Sequence, residues 1–301
     1  MSFLDELKYS FKAKNNFNIL IYINLIVFLF IQLFKVFLFL NAKTSQEFLY
    51  YLAVPANINN LKTYPWTIIT YMFTHESFLH ILFNLLAFYW FGKLFLQYLS
   101  QKQLLGVYIL GGILGAVFYI LAFNIFPVFN EIKEISIAIG ASASVMAIVF
   151  TVAMLAPNQE IRLAFLGNFK LKYLALFVVI LDILSIPTDN AGGHIAHLGG
   201  AFFGVMFALF YRKGVDITSF LTKFLYWIKN LFSPQKNMRI KYKKSKSKTK
   251  STSTKRESDW DYNARKKAEQ EEIDKILDKI AKSGYEALTA SEKEKLFKQS
   301  K

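Results

Sequence analysis

At 301 residues the chain is long enough for two ordinary soluble domains, yet 54% of it is apolar, 17% aromatic and only 19% charged, a balance that points to lipid as its solvent. The absence of cysteine excludes a disulfide framework, a thiolate zinc site, an iron–sulfur cluster and a cysteine nucleophile, which leaves Ser and His to carry nucleophilic chemistry. The net charge of +15 is uneven, with 12 Lys/Arg against 9 Asp/Glu in residues 1–211 and 24 against 12 in residues 212–301, so the excess sits in a tail beside a hydrophobic body and fits an anionic membrane surface rather than nucleic acid.

A spanning helix needs about 20 apolar residues, and a run of that length beginning after charged residues is not a cleavable signal core. Residues 1–16 form an N-terminal segment in which Phe3, Leu4, Leu7 and Phe11 give an amphipathic lead-in. Span 1 is predicted over Phe17 to Leu40, interrupted only by Lys35. Further spans are predicted from Trp66 to Phe95, Leu104 to Phe126, Ile135 to Leu155, Tyr173 to Ile186 and His194 to Tyr211, so residues 17–211 make a six-span all-α core.

Cytoplasmic loops retain Lys and Arg, and these residues set the orientation. Lys8, Lys12, Lys14, Lys93, Lys102, Arg162, Lys170 and Lys172 fall on one side, against Lys43, Lys62 and Lys133 on the other. That bias predicts a multi-pass protein with both termini in the cytoplasm. In residues 212–232 the stripe Ile217, Phe220, Leu221, Phe224, Leu225, Ile228, Leu231 and Phe232 reads as an interfacial helix. Residues 233–260 are predicted to be a polybasic linker that binds anionic lipid, since 233–256 hold ten Lys/Arg and no acid. Residues 261–301 regain helical periodicity, stop at Ser283-Gly284 and restart at Thr289-Ala-Ser-Glu292, a capping-box pattern that predicts a small helical hairpin.

Polar and ionisable side chains within spans are costly and are functional candidates by default. All four histidines fall in two segments, His75-Glu-Ser-Phe-Leu-His80-Ile-Leu-Phe-Asn84 and His194-Ile-Ala-His197-Leu-Gly-Gly, and a third polar segment, Gly140-Ala-Ser142-Ala-Ser144, opens span 4. Zinc fits poorly: His75 and His80 are five apart, about 140° around a helix, where a zinc-binding HExxH needs four, about 40°. His194 and His197 have spacing for a shared metal, but no carboxylate at ligand spacing accompanies them. No metal is expected.

A nucleophilic reading uses the same residues more fully. Ser142 offers the hydroxyl, His197 the base, and His80 with Asn84, four apart on one face, the donors for a developing oxyanion. The Ser142 backbone N–H joins them if it lies in the unsatisfied first turn of span 4. Ala196, Gly200 and Gly204 form a small-residue strip on span 6 that lets Ser142 and His197 meet. His75 and His194 are read as structural hydrogen-bonders, the latter anchoring a loop, and Ser144 as packing. Gly111-Gly-Ile-Leu-Gly115 is read as a helix-contact motif, and Lys35 and Asp182 receive no role.

This set resembles the rhomboid family of intramembrane serine proteases, through His75-x4-His80-x3-Asn84, Gly140-x-Ser142 and Ala196-His197-Leu-Gly-Gly200-x3-Gly204, with Pro65-Trp66-Thr67 and Thr70-Tyr71-Met72-Phe73-Thr74-His75 resembling the stretch before the family's span 2. The resemblance implies a six-helix membrane bundle with a Ser–His dyad, Ser142 the nucleophile and His197 its base. It implies His80 and Asn84 on the oxyanion side and a structural His75, with no cofactor. It also implies transmembrane protein substrates that enter from the lipid side, unwind easily and carry small residues near the cleaved bond. The tail from about Glu271 resembles one found on rhomboids of the Bacteroidetes, which implies a bacterial inner membrane. Family members usually carry Gly-x-Ser-Gly; here Ala143 replaces the second glycine, and as the smallest replacement it is expected to be tolerated. The expected function is intramembrane serine endopeptidase, the alternative a catalytically silent relative that binds and escorts membrane proteins.

Overall fold

The computed structural model describes residues 15–44, 46–163, 167–188, 190–232 and 259–299, which fall into two units on either side of residues 233–258. The predicted lead-in at residues 3–11 and the polybasic stretch 233–256 lie outside the described residues.

The first unit begins with α1 (Asn16–Leu40), capped by the Asn15 side chain, which accepts from the Asn18 N–H at 2.8 Å. Short elements follow: α2 (Gln46–Tyr50), β1 (Val54–Pro55), α3 (Ile58–Thr63) and α4 (Thr67–Thr70), the last continuing into a 3-10 turn over Tyr71–Phe73. Then come α5 (Phe78–Tyr98) and α6 (Gln101–Ile125), the latter opened by a reciprocal Ser100/Gln103 capping box. Next are β2 (Ile137–Ala138), α7 (Ser142–Leu155), the hairpin β3 (Glu160–Leu163) and β4 (Gly167–Lys170), α8 (Leu171–Ser185), α9 (Ala191–Arg212) and α10 (Ser219–Phe232). The two small sheets are antiparallel, with Val54 opposite Ala138 and Glu160 opposite Lys170.

The first unit is an all-α membrane bundle built on α1 and α5 to α9. Among the described residues α1, α5, α6 and α9 are long and apolar enough to cross a membrane. α7 and α8 have 14 and 15 residues, so at 1.5 Å per residue each is shorter than the ~30 Å hydrocarbon core of a bilayer.

Two predicted spans are corrected at their N-terminal ends. Span 2 does not run as one helix from Trp66: the chain is extended at Thr74, and α5 begins only after the Ser77 cap. Span 4 does not start at Ile135, because Ile137–Ala138 pair with β1 and Gly140, at φ +117°, turns the chain into α7. A left-handed φ of this kind suits glycine, which has no Cβ to clash with the backbone.

Burial separates an inner layer from an outer one. Every residue of α7 from Ala143 to Ala153 is buried, so this helix is enclosed on all faces, whereas α1 leaves Leu33 70% and Phe39 79% exposed on an outward face suited to lipid. Lipid tails are as apolar as leucine, so helices associate in a membrane through close packing and hydrogen bonds, and small residues allow the closest approach. On α6, a Cβ at Gly115 would lie 2.5 Å from the Ala143 Cβ and 2.8 Å from the Ala196 carbonyl oxygen. On α9, a Cβ at Gly200 would lie 2.0 Å from the carbonyl oxygen of Ala143. Helices α6, α7 and α9 are thus in backbone contact around residues 115, 143, 196 and 200.

Polar bonds tie the outer elements on. Asn24 of α1 donates to the Tyr108 hydroxyl at 3.1 Å, which donates to the Met72 carbonyl at 3.2 Å. Lys35 lies 3.8 Å from Glu76. Asp216 accepts from Thr218 and from Gln103, which fixes the start of α10 against α6.

The second unit consists of α11 (Asp259–Ser283), a left-handed Gly284 at φ +76°, a 3-10 turn over Tyr285–Ala287 and α12 (Ala290–Gln299). The predicted capping box is present: the Thr289 N–H donates to Glu292 at 2.7 Å, and the Glu292 N–H donates to the Thr289 hydroxyl at 3.4 Å. Lys279 of α11 reaches both Glu292 oxygens at 3.0 Å.

Two predictions follow from this packing and capping. Gly200→Ala forces α7 and α9 apart, and overpacking of this kind costs about 1–3 kcal/mol; its unfolding temperature in detergent should fall, and an unchanged one would show that the two backbones have room to spare. In the second unit the Thr289 backbone N–H, then Lys279 and the Thr289 hydroxyl, push the Glu292 carboxyl down from 4.5 to about 2. The folded value lies below the unfolded one, so ionised Glu292 supports α12 fully above about pH 4.5, and this support is lost as pH falls toward about 2. Hydrogen exchange in residues 290–299 should accelerate over that window, and Glu292→Gln should remove the pH dependence.

Candidate active site

Gly115 sets the position of the site. Its bare backbone receives Ala143 of α7 and Ala196 of α9 at one point, and the next residues in each direction are Ser142 and His197. Ser142 opens α7; no side chain caps this end, and Ala141, before it, accepts the first helical bond from the Val145 N–H at 2.9 Å. The Ser142 N–H is therefore one of the helix's unsatisfied first-turn donors, and the positive end of the helix dipole lies at the hydroxyl.

The preceding turn is held from the other side. Gly140 donates its N–H to the Tyr71 carbonyl at 2.9 Å. Fully buried His75 accepts from the Ala141 N–H through Nε2 at 3.3 Å, while its Nδ1 lies 3.3 Å from the Phe73 carbonyl. One neutral tautomer, protonated on Nδ1, satisfies both contacts. A Cβ at Gly140 would stand 2.6 Å from His80 Nε2 and 3.8 Å from Ser142 Oγ, which places those two groups around the same small volume. Any larger residue at 140 would fill it. Asn84, one turn after His80, donates through Nδ2 to the His80 carbonyl at 2.9 Å and keeps a second N–H on the amide.

Ser142, His80, Asn84, His194 and His197 all line one cavity of about 1300 Å³, together with Glu76, Phe83 and Ala87 from the α5 side, Met146 of α7, and Val178, Leu181 and Asp182 of α8. Ser144 is not among the lining residues: it is fully buried between Gly112 and Met72, the packing position expected from its place on the helix.

In the sequence Asp182 carries no evident role, and no carboxylate stands at ligand spacing from His194 and His197. The structure corrects this. Asp182 Oδ1 lies 2.8 Å from His194 Nδ1 and 2.9 Å from His197 Nδ1, and the carboxylate is buried. The partners are 12 and 15 residues apart across a turn, so no single-helix spacing reveals them. The available signal was the acid itself, lying inside a predicted span.

These three side chains are also the group among the described residues that has donors close enough to hold a metal. Ligands on a tetrahedral zinc at about 2.0–2.2 Å stand roughly 3.3–3.6 Å apart. The observed 2.8 and 2.9 Å are hydrogen-bond lengths instead.

Ala143 sits where the resemblance implies a second glycine. Its methyl points at Gly115, which offers no side chain, so the extra carbon fits into α6 without displacing Ser142 from the start of its helix.

A family model described as the Rhomboid domain matches residues 62–214, and one described as a family of unknown function (DUF6576) matches residues 257–301. Similar proteins include RHOMBOID-like protein 12, mitochondrial, of Arabidopsis thaliana, 29% identical over 157 residues that cover 49% of this chain and 47% of that protein. Another is Presenilin-associated rhomboid-like protein A, mitochondrial, of Danio rerio, 26% identical over 156 residues that cover 49% of this chain and 39% of that protein. The aligned stretch of this chain thus spans less than half the length of these curated relatives. With half of its residues, including the helices that carry Ser142 and His197, matched by that domain, the chain belongs to the rhomboid family.

Proposed function

We propose that this chain is an intramembrane serine endopeptidase that cleaves other membrane proteins in or near their transmembrane segments. The observation that carries the reading is the shared cavity, in which a serine at an uncapped helix N-terminus, a histidine on the facing helix and two further polar side chains converge. Ser142 Oγ attacks the scissile carbonyl carbon and passes its proton to His197 Nε2. The carbonyl oxygen becomes an oxyanion that the Ser142 N–H, His80 and the Asn84 amide are placed to receive. As the C–N bond breaks, His197 returns the proton to the leaving amine. Water then hydrolyses the acyl-enzyme by the same route. No step calls for a cofactor.

The cavity walls support the choice of substrate. Phe83, Ala87, Met146, Val178 and Leu181 make it largely apolar, and residues of α5 and α8 both line it, which suits an unwound segment with small side chains arriving from lipid. We place the protein in a bacterial inner membrane, on the resemblance of its tail, with both termini in the cytoplasm, on the distribution of Lys and Arg.

Two tests apply. Ser142→Ala and His197→Ala should each reduce cleavage of a single-span substrate to background with the protein still inserted, because nucleophile and base act as a unit. Labelling of wild type by a fluorophosphonate should disappear in Ser142→Ala. Wild type that binds the substrate without cutting it would favour the escort reading instead. For orientation, the chain has no background thiol, so Asn130→Cys should react only with a reagent outside the cell and Lys170→Cys only with one inside; the reverse pattern would overturn the placement.

A further inference from the structure

The structure assigns Asp182 as a positioning residue for His197, completing a Ser142–His197–Asp182 arrangement in place of the two-residue dyad; the inference rests on the proteolytic reading above. An imidazole acts as a base toward Ser142 only if the nitrogen facing the hydroxyl carries no proton. Neutral imidazole has one N–H and one acceptor, and the hydrogen bond made by one nitrogen decides the state of the other. His197 Nδ1 lies 2.9 Å from Asp182 Oδ1, so the proton resides on Nδ1 and Nε2 is left as the acceptor. The ring plane is held by the same bond.

The carboxylate also answers the charge that appears during reaction. When Ser142 bonds to the carbonyl carbon, its proton moves to Nε2 and His197 becomes an imidazolium with N–H on both nitrogens. Asp182 stays ionised and stabilises that cation through the bond it already makes; when the C–N bond breaks, the proton leaves Nε2 for the amine, and Asp182 gains none. Buried at 5% exposure, the carboxylate is screened little by water.

His194 holds Asp182 rather than competing for Ser142. Its Nδ1 donates to the same Oδ1 at 2.8 Å, so the oxygen is fixed between two donors one helical turn apart on α9. The Asn190 cap keeps that turn in place by accepting from the Gly193 N–H at 3.2 Å. Through the two histidines α8 is bonded to α9 at the depth where the chemistry occurs.

The test compares full-length wild type with Asp182→Asn, Asp182→Ala and His194→Ala in one detergent, at matched folded fractions. One readout is steady-state cleavage of a single-span substrate, and the other is 15N NMR of histidine-labelled protein with His197 assigned from His197→Ala. The expected result is a fall in kcat of roughly 100-fold or more in Asp182→Asn with KM within about threefold, and a loss of less than about tenfold in His194→Ala. The His197 signal should report Nδ1–H in wild type and lose that preference in Asp182→Ala. If Asp182→Ala does not fold, the near-isosteric Asp182→Asn still decides through the kcat-against-KM split.

Ser142-dependent cleavage with kcat in Asp182→Asn within about threefold of wild type would overturn the assignment. So would an unchanged His197 tautomer in Asp182→Ala, or activity removed by a chelator and restored by zinc. Wild type that cuts no substrate while its His197 tautomer depends on Asp182 would instead fail the proteolytic reading and retain the hydrogen-bond assignment.

Discussion

The architecture depends on the approach of three backbones at Gly115. In lipid nothing pushes helices together as water does in a soluble protein, so α6, α7 and α9 must gain their association from contact at close range. Gly115 and Gly200 permit it by having no side chain where Ala143 and Ala196 arrive. Ser142 and His197 each stand one residue from that contact, so helix packing sets where these two side chains lie. The residues that hold the bundle and those that would do the chemistry occupy adjacent positions on the same two helices.

A second constraint comes from length. α7 has 14 residues, too few to cross the bilayer alone, so irregular backbone must complete the crossing. Such backbone is tolerated there only when its polar groups are bonded or face a cavity. The segment before α7 makes such bonds: its Ser136 carbonyl accepts from the Ala56 N–H, Gly140 donates to the Tyr71 carbonyl, and Ala141 donates to His75. His75 thereby acts as a brace beneath the turn that presents Ser142.

Much of this was legible beforehand. The apolar runs located six helices, the spacing of His80 and Asn84 put both on one face, and the glycines after His197 marked the side of α9 that meets α7. Two helix starts were not legible, because Trp66–Phe73 and Ile135–Ile139 are as apolar as the spans they precede. What breaks those runs is local: a positive φ at Gly140 and a Ser77 cap after extended Thr74. Asp182 was visible as an acid in a span, but its partners lie across the turn between α8 and α9, and only tertiary structure brings them to one oxygen.

Ala143 shows how such a site absorbs a departure from its pattern. A glycine at 143 would leave room on the α7 side of the contact, although a Cβ at 115 would still stand 2.8 Å from the Ala196 carbonyl oxygen. With alanine at 143 the room must come from α6, and it does, since the methyl faces a glycine whose own Cβ would stand only 2.5 Å away. The bare backbone of Gly115 thus makes room for the Ala143 methyl as well as for the Ala196 carbonyl, and the carbonyl of Ala143 faces Gly200. Because the extra carbon is accommodated between α6 and α7, it does not enter the gap between α7 and α9, and the separation that governs Ser142 and His197 is still set by Gly200.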